Sequence, residues 1–124
     1  MDTRKVFLRA FLLFLSLPLA ACTPLPRGAK DAVLAPFPPE EEPRLLSAHK
    51  ARLLPEDVAA GVEEVWCVEV AYRCWSCPHG EWRTCVSGYL VRRIGEEWES
   101  AEMRTEEEWA GWEARGCPAV PEAP

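Results

Sequence analysis

The chain has 124 residues, with 14 Lys and Arg against 20 Asp and Glu and a formal net charge of −6. Binding nucleic acid needs a basic face, so this balance speaks against that class of partner, and anionic head groups would be repelled as well. Asn and Gln are absent, with 17 Glu to 3 Asp and 11 Arg to 3 Lys, a bias that fits either a thermophile's protein or a GC-rich genome.

The first nine residues carry Arg4, Lys5 and Arg9, and residues 10–21 are almost wholly apolar, ending Leu19-Ala20-Ala21 before Cys22. A basic region, a short apolar region and small residues at the end read as a secretory signal. The apolar run is too short for a spanning helix, which needs roughly 20 residues. The run Leu19-Ala20-Ala21-Cys22 resembles the lipobox of bacterial lipoproteins. That resemblance implies cleavage before Cys22, acylation of its sulfur and amino group, and residence in the cell envelope on a lipid anchor. In lipoprotein sorting, Thr23 rather than Asp after the cysteine implies the outer membrane. Loss of the signal removes Asp2, Arg4, Lys5 and Arg9 and would take the net charge from −6 to −8.

Residues 22–43 hold six prolines, Pro24, Pro26, Pro36, Pro38, Pro39 and Pro43. Proline resists helix and ladder alike, so this stretch is expected as a semi-extended tether. At about 3.1 Å per residue it would reach roughly 65 Å. Residues 44–118 are expected to form the folded domain, and 119–124 a frayed tail.

Within the domain, Leu45, Leu46, Leu53 and Leu54 recur at roughly helical spacing, so residues 44–54 are expected as a helical segment. Pro55-Glu56-Asp57 suits the first turn of a second short helix, ended at Gly61. Trp66, Val68, Val70 and Tyr72 alternate with Cys67, Glu69, Ala71 and Arg73, the period of a half-buried strand. Residues 82–94 predict a second strand, with Trp82, Val86, Leu90 and Ile94 on its more apolar face. Gly95 predicts a tight turn into a short third strand carrying Trp98. Thr105 with Glu108 forms a capping box opening a helix that bears Trp109 and Trp112. The expected fold is therefore α+β: an N-terminal helical segment, a three-stranded antiparallel meander and a C-terminal helix, stapled by disulfides.

Five cysteines remain in the domain: Cys67, Cys74, Cys77, Cys85 and Cys117. An exported domain of this size favours disulfides, and an odd number leaves one thiol over. In a hairpin centred near residue 79, Cys67 faces residues 90–92, too far along the ladder for a bridge to Cys85. Cys67 is therefore expected to pair with Cys117. Cys85 is left to Cys77 or Cys74, the strand ends favouring Cys74 and the face pattern favouring Cys77.

The loop Cys74-Trp75-Ser76-Cys77-Pro78-His79 also allows sharper chemistry. C-x-x-C beside a Trp resembles the thioredoxin active site, but no helix follows to lower the thiol pKa. Covalent haem needs a histidine directly after the second cysteine, and Pro78 intervenes. Cys74, Cys77, His79 and Cys85 together could hold zinc or copper(I). His49 and His79 are the only histidines, and neither sits in a catalytic pattern; no catalytic residue or resident cofactor is expected. The sequence thus points to a non-enzymatic lipoprotein that binds a partner in the envelope, with a thiol-redox or metal module in the Cys74–Cys85 loop as the alternative.

Overall fold

The computed structural model describes residues 24–76 and 80–120. The elements run α1 Arg27–Leu34, a 3₁₀ turn Pro39–Glu41, β1 Arg44–Lys50, α2 Pro55–Ala59, β2 Glu64–Ser76, β3 Glu81–Ile94, β4 Glu97–Glu102 and α3 Glu106–Ala114. The strands form one antiparallel sheet in the order β1-β2-β3-β4. The expected meander of three strands is therefore corrected to four, and the expected helical segment over residues 44–54 is corrected to a strand over Arg44–Lys50.

The reason lies in a bulge. Leu45 pairs with Val70, but Ser47, not Leu46, pairs with Glu69, and Ala48 then pairs with Val68. The extra residue leaves Leu46 out in solvent and puts Leu45 and Ala48 on one sheet face. The bulge breaks the alternation that an unbroken strand would show, so Leu45 and Leu46 read with Leu53 and Leu54 as a helical stripe.

A second correction concerns residues 22–43. Residues 27–34 are a helix rather than an extended spacer, with Ala29 and Val33 fully buried. The prolines flank this segment and none lies within it, so nothing blocks its hydrogen bonds. Ala29 and Val33 are four apart and meet the sheet together. Gly28 lies against the Trp98 indole so closely that a Cβ there would stand 2.6 Å from the ring. Ser100 Oγ donates to the Ala32 carbonyl at 3.0 Å.

α1 covers one face of the sheet over Trp66, Val68, Val70 and Val91. The other face carries Val65, Cys67 and Leu90, which pack with Val62, Met103 and Trp112 of the C-terminal part of the chain. Residues 65–71 are consequently buried on both faces, where sequence alternation suggested a half-buried strand. The even residues of β2 share a face with the odd residues of β3, as Trp66↔Val91 and Tyr72↔Cys85 show.

α3 begins as its capping box requires. Thr105 Oγ1 accepts from the Glu108 amide at 3.1 Å, and Glu108 Oε1 accepts from the Thr105 amide at 2.9 Å. These amide bonds, from Thr105 and Arg104, hold the Glu108 carboxyl below its usual range. Trp109 and Trp112 stack edge to face at 5.5 Å over Gly88, where a Cβ would stand only 3.0 Å from Trp109. Behind α3, Cys67 is bonded to Cys117. The bridge spans 50 residues, and closing such a loop stabilises by about 4 kcal/mol in the chain-entropy model.

One buried ion pair ties α2 to the end of α3. Arg115 Nη2 and Nε donate to the two Asp57 carboxylate oxygens at 2.7 and 3.0 Å. Burial alone would raise the Asp57 pKa, but the Arg115 hydrogen bonds, the Leu54 amide and the Arg115 charge outweigh it and leave it lowered. Asp57→Ala strands a buried guanidinium and is expected to cost about 3–5 kcal/mol at neutral pH. A depressed folded pKa stabilises above the unfolded value and ceases to do so as the carboxyl protonates. In urea titrations the gap between wild type and Asp57→Ala should therefore shrink below about pH 4; a gap that widens on acidification would contradict this role.

Candidate functional site

β2 and β3 outrun their neighbours. β1 reaches only to Arg44, opposite Ala71, and β4 only to Glu102, opposite Tyr89. Beyond those points Tyr72–Ser76 and Glu81–Cys85 pair with each other alone, as a two-stranded arm. Such a ribbon is marginal in water, so something must hold it.

Two devices do, one on each face. Cys74 is bonded to Cys85 across the ladder, with Cα atoms 5.9 Å apart. Tyr72 opposes Cys85 and Cys74 opposes Arg83, so the two cysteines are diagonal neighbours on one face. The sequence left Cys85 open to Cys74 or Cys77; the structure pairs it with Cys74. On the opposite face Trp75 opposes Trp82, and their rings meet edge to face at 5.4 Å. Arg73 lays its guanidinium over Trp82, 4.7 Å from the ring centre. Aromatic cross-strand pairs and such cation–π stacks each add roughly 0.5–1 kcal/mol.

These tryptophans differ from the rest of the core. Trp112 is 1 % exposed, whereas Trp75 is 53 % and Trp82 42 % exposed. Large apolar side chains left side by side in water mark a contact surface.

At the base of the arm lies a cleft of about 340 Å³ lined by Glu42, Arg44, Ala71, Tyr72, Arg73, Trp82, Arg83 and Thr84. Arg83 turns to Glu81 at 3.3 Å. Arg44 has no carboxylate within ion-pair distance among the described residues. Arg73 has Glu42, at 3.7 Å. Glu42 has φ 46° and is the one non-glycine with positive φ among the described residues. A side chain in that region costs on the order of 1–3 kcal/mol and is often found where binding occurs. In a chain of net charge −6, the cleft is a local concentration of guanidinium groups, suited to planar anions.

Among the residues singled out from sequence, Cys22, Cys77 and His79 lie outside the described residues. Cys74 and Cys85 are joined to each other, so neither can offer a thiolate to zinc or copper while oxidised. Among the described residues no three His, Cys, Asp or Glu side chains converge as metal ligands. His49 is exposed on β1, opposite Cys67, away from the arm. Sequence reasoning missed Glu42, Arg44, Arg73 and the Trp75–Trp82 pair as a group. A signal was present, since Trp75 and Trp82 are equidistant from a turn centred near residue 79. Comparison with family models, with curated proteins and with solved structures finds no match to this chain.

The arm makes few contacts with the helices, so its bridge should act locally. Replacing Cys74 and Cys85 by Ser is expected to strip hydrogen-exchange protection from residues 72–76 and 81–85 while residues 65–71 stay protected. Equal loss in both regions would show that arm and core open as one unit.

Proposed function

We propose that this protein is a lipid-anchored binding module of the cell envelope, on the outer membrane where the cell has one, with the arm as its recognition element. The exposed Trp75–Trp82 pair on a covalently braced arm carries this reading. Beyond bracing the arm, the solvent-facing aromatic pair provides rigid contact area at low entropic cost. The two disulfides fit an oxidising compartment. The lipobox-like run ending at Cys22 supplies the anchor; acylation at two positions makes attachment stable. No helix among the described residues is long and apolar enough to cross a membrane. No catalytic group is assigned.

Two measurements test it. Cells fed radiolabelled fatty acid should label the wild type and not Cys22→Ser. A photo-crosslinker placed at Thr84, beside the Arg73 cleft, should capture an envelope component that the same group at Glu113 of α3 does not. Label retained by Cys22→Ser removes the anchor, and equal capture from both positions removes the arm.

One observation favours a second reading. Cys67 is 1 % exposed, whereas Cys74 and Cys85 are both partly exposed, and Cys77 lies in the sequence their bridge encloses. Such a bridge could exchange with a partner dithiol, the partner being oxidised as Cys74 and Cys85 are reduced. Once reduced, the same cysteines with Cys77 and His79 would form a zinc or copper(I) donor set. Mild reduction followed by alkylation and mass spectrometry distinguishes it: rapid labelling of Cys74 and Cys85 with Cys67 and Cys117 unlabelled supports exchange. Equal resistance of both bridges leaves the arm disulfide a staple.

A further inference from the structure

The edge of β2 changes character at Ala71. Up to that residue β1 covers it, ending at Arg44. From Tyr72 to Ser76 no strand among the described residues pairs with β2 on the side away from β3. Half of the backbone groups there lack a ladder partner, which is the template for strand addition.

β1 does not end for want of chain. Continued straight, Pro43 would oppose Tyr72 and Glu42 would oppose Arg73. Pro43 has no amide to donate, and Glu42, at φ 46° and ψ 57°, turns the backbone off the edge. Yet the Glu42 carboxylate still reaches Arg73. The carboxylate stays where a strand residue opposite Arg73 would put it, while the 3₁₀ turn before it remains near β2 without pairing with it.

The contact it makes is loose. The separation of 3.7 Å, with the Glu42 side chain 68 % exposed, is well beyond the 2.7–2.9 Å or so of a charge-assisted hydrogen bond. Exposed pairs of this kind contribute little. Arg73 is meanwhile held over Trp82, and Arg44 stands on the same cleft. The cationic side is therefore preorganised and its present occupant is easily displaced.

From these observations, and resting on the arm as the recognition element, we propose that the cleft binds an acidic segment of extended peptide. The segment adds as a strand beside Tyr72–Ser76. One carboxylate displaces Glu42 from Arg73 and is shared with Arg44. A side chain two residues away packs on Trp75, because alternate residues of a strand share a face. Glu42 is the internal stand-in for the ligand's carboxylate. Charge complementarity selects the partner: an acidic strand suits this one cleft and is repelled by most of the remaining surface.

The test uses the full-length protein in detergent and two fluorescent peptides blocked at both ends, Glu-Thr-Leu-Thr-Glu and Gln-Thr-Leu-Thr-Gln, whose symmetry fits either strand direction with an end residue opposite Arg73 and Leu opposite Trp75. Anisotropy titration should give the Glu peptide an affinity about tenfold above that of the Gln peptide, the difference one charge-assisted contact makes. Arg73→Gln should abolish that preference. Glu42→Gln, which removes the competing charge, should tighten the Glu peptide severalfold. Both variants lie on the surface, and unchanged far-UV spectra confirm that they fold. No binding at millimolar peptide, equal affinity for the two peptides, or weaker binding by Glu42→Gln would each overturn the proposal. So would Arg73-dependent binding of oligogalacturonate in preference to the peptide, which would make the cleft a reader of acidic sugars. If crosslinks through Thr84 persist in cells while the peptide fails, the peptide inference falls and the recognition arm stands.

Discussion

Everything in this fold depends on β2 being buried on both faces over residues 65–71 and only partly covered beyond them. Residues 65–71 are covered above and below, and a single layer cannot do that. The cover comes from opposite ends of the described chain, α1 on one side and the α3 segment on the other. Each layer needs its own fastening. α1 is seated by the close approach of Gly28 to Trp98 and by the Ser100 bond to the Ala32 carbonyl. The C-terminal layer is seated covalently through Cys67–Cys117 and electrostatically through Asp57–Arg115. Past Ala71 the cover ends and the same strand becomes the arm.

Two arginines show how differently one side chain is used on either side of that boundary. Arg115 is spent. Its Nε and Nη2 donate to Asp57, and its Nη1 donates to the Gly111 carbonyl, so a buried charge is fully compensated. Arg73 is held in place but hardly neutralised, with its face on Trp82 and only a distant carboxylate at its edge. The first arrangement stabilises a fold. The second leaves interaction capacity unused at the surface, and it occurs where two tryptophans are also left uncovered.

Local signals in the sequence carried much of this, and non-local ones did not. The capping box at Thr105 and Glu108 and the positive-φ turn at Gly95 are set by neighbouring residues and could be read directly. The register Cys67↔Leu90 followed from the hairpin centre. β1 was hidden because its bulge at Leu46 breaks the period of two, leaving Leu45 and Leu46 to be read with Leu53 and Leu54 as one helical stripe. α1 was hidden because proline density was averaged over residues 23–43, while the helix lies in the gap between prolines. The face assignment of Cys74 and Cys85 was ambiguous because β2 is apolar on both sides. At the site, the tryptophans were each visible, but their pairing depends on register, and the nearness of Glu42 to Arg73 depends on a turn that no local rule announces.

The position of α1 also changes the geometry of any anchorage. With the helix starting at Arg27 and packed into the core, only four residues and five Cα-to-Cα steps separate it from Cys22. Fully extended, they span at most roughly 18 Å, not the reach of a long spacer. A lipid on Cys22 would hold the domain close against the bilayer surface instead of casting it far into the surrounding space. Its partners would then be met by lateral diffusion in a thin layer, where local concentration is high. Modest affinity at the arm would suffice for a lasting association.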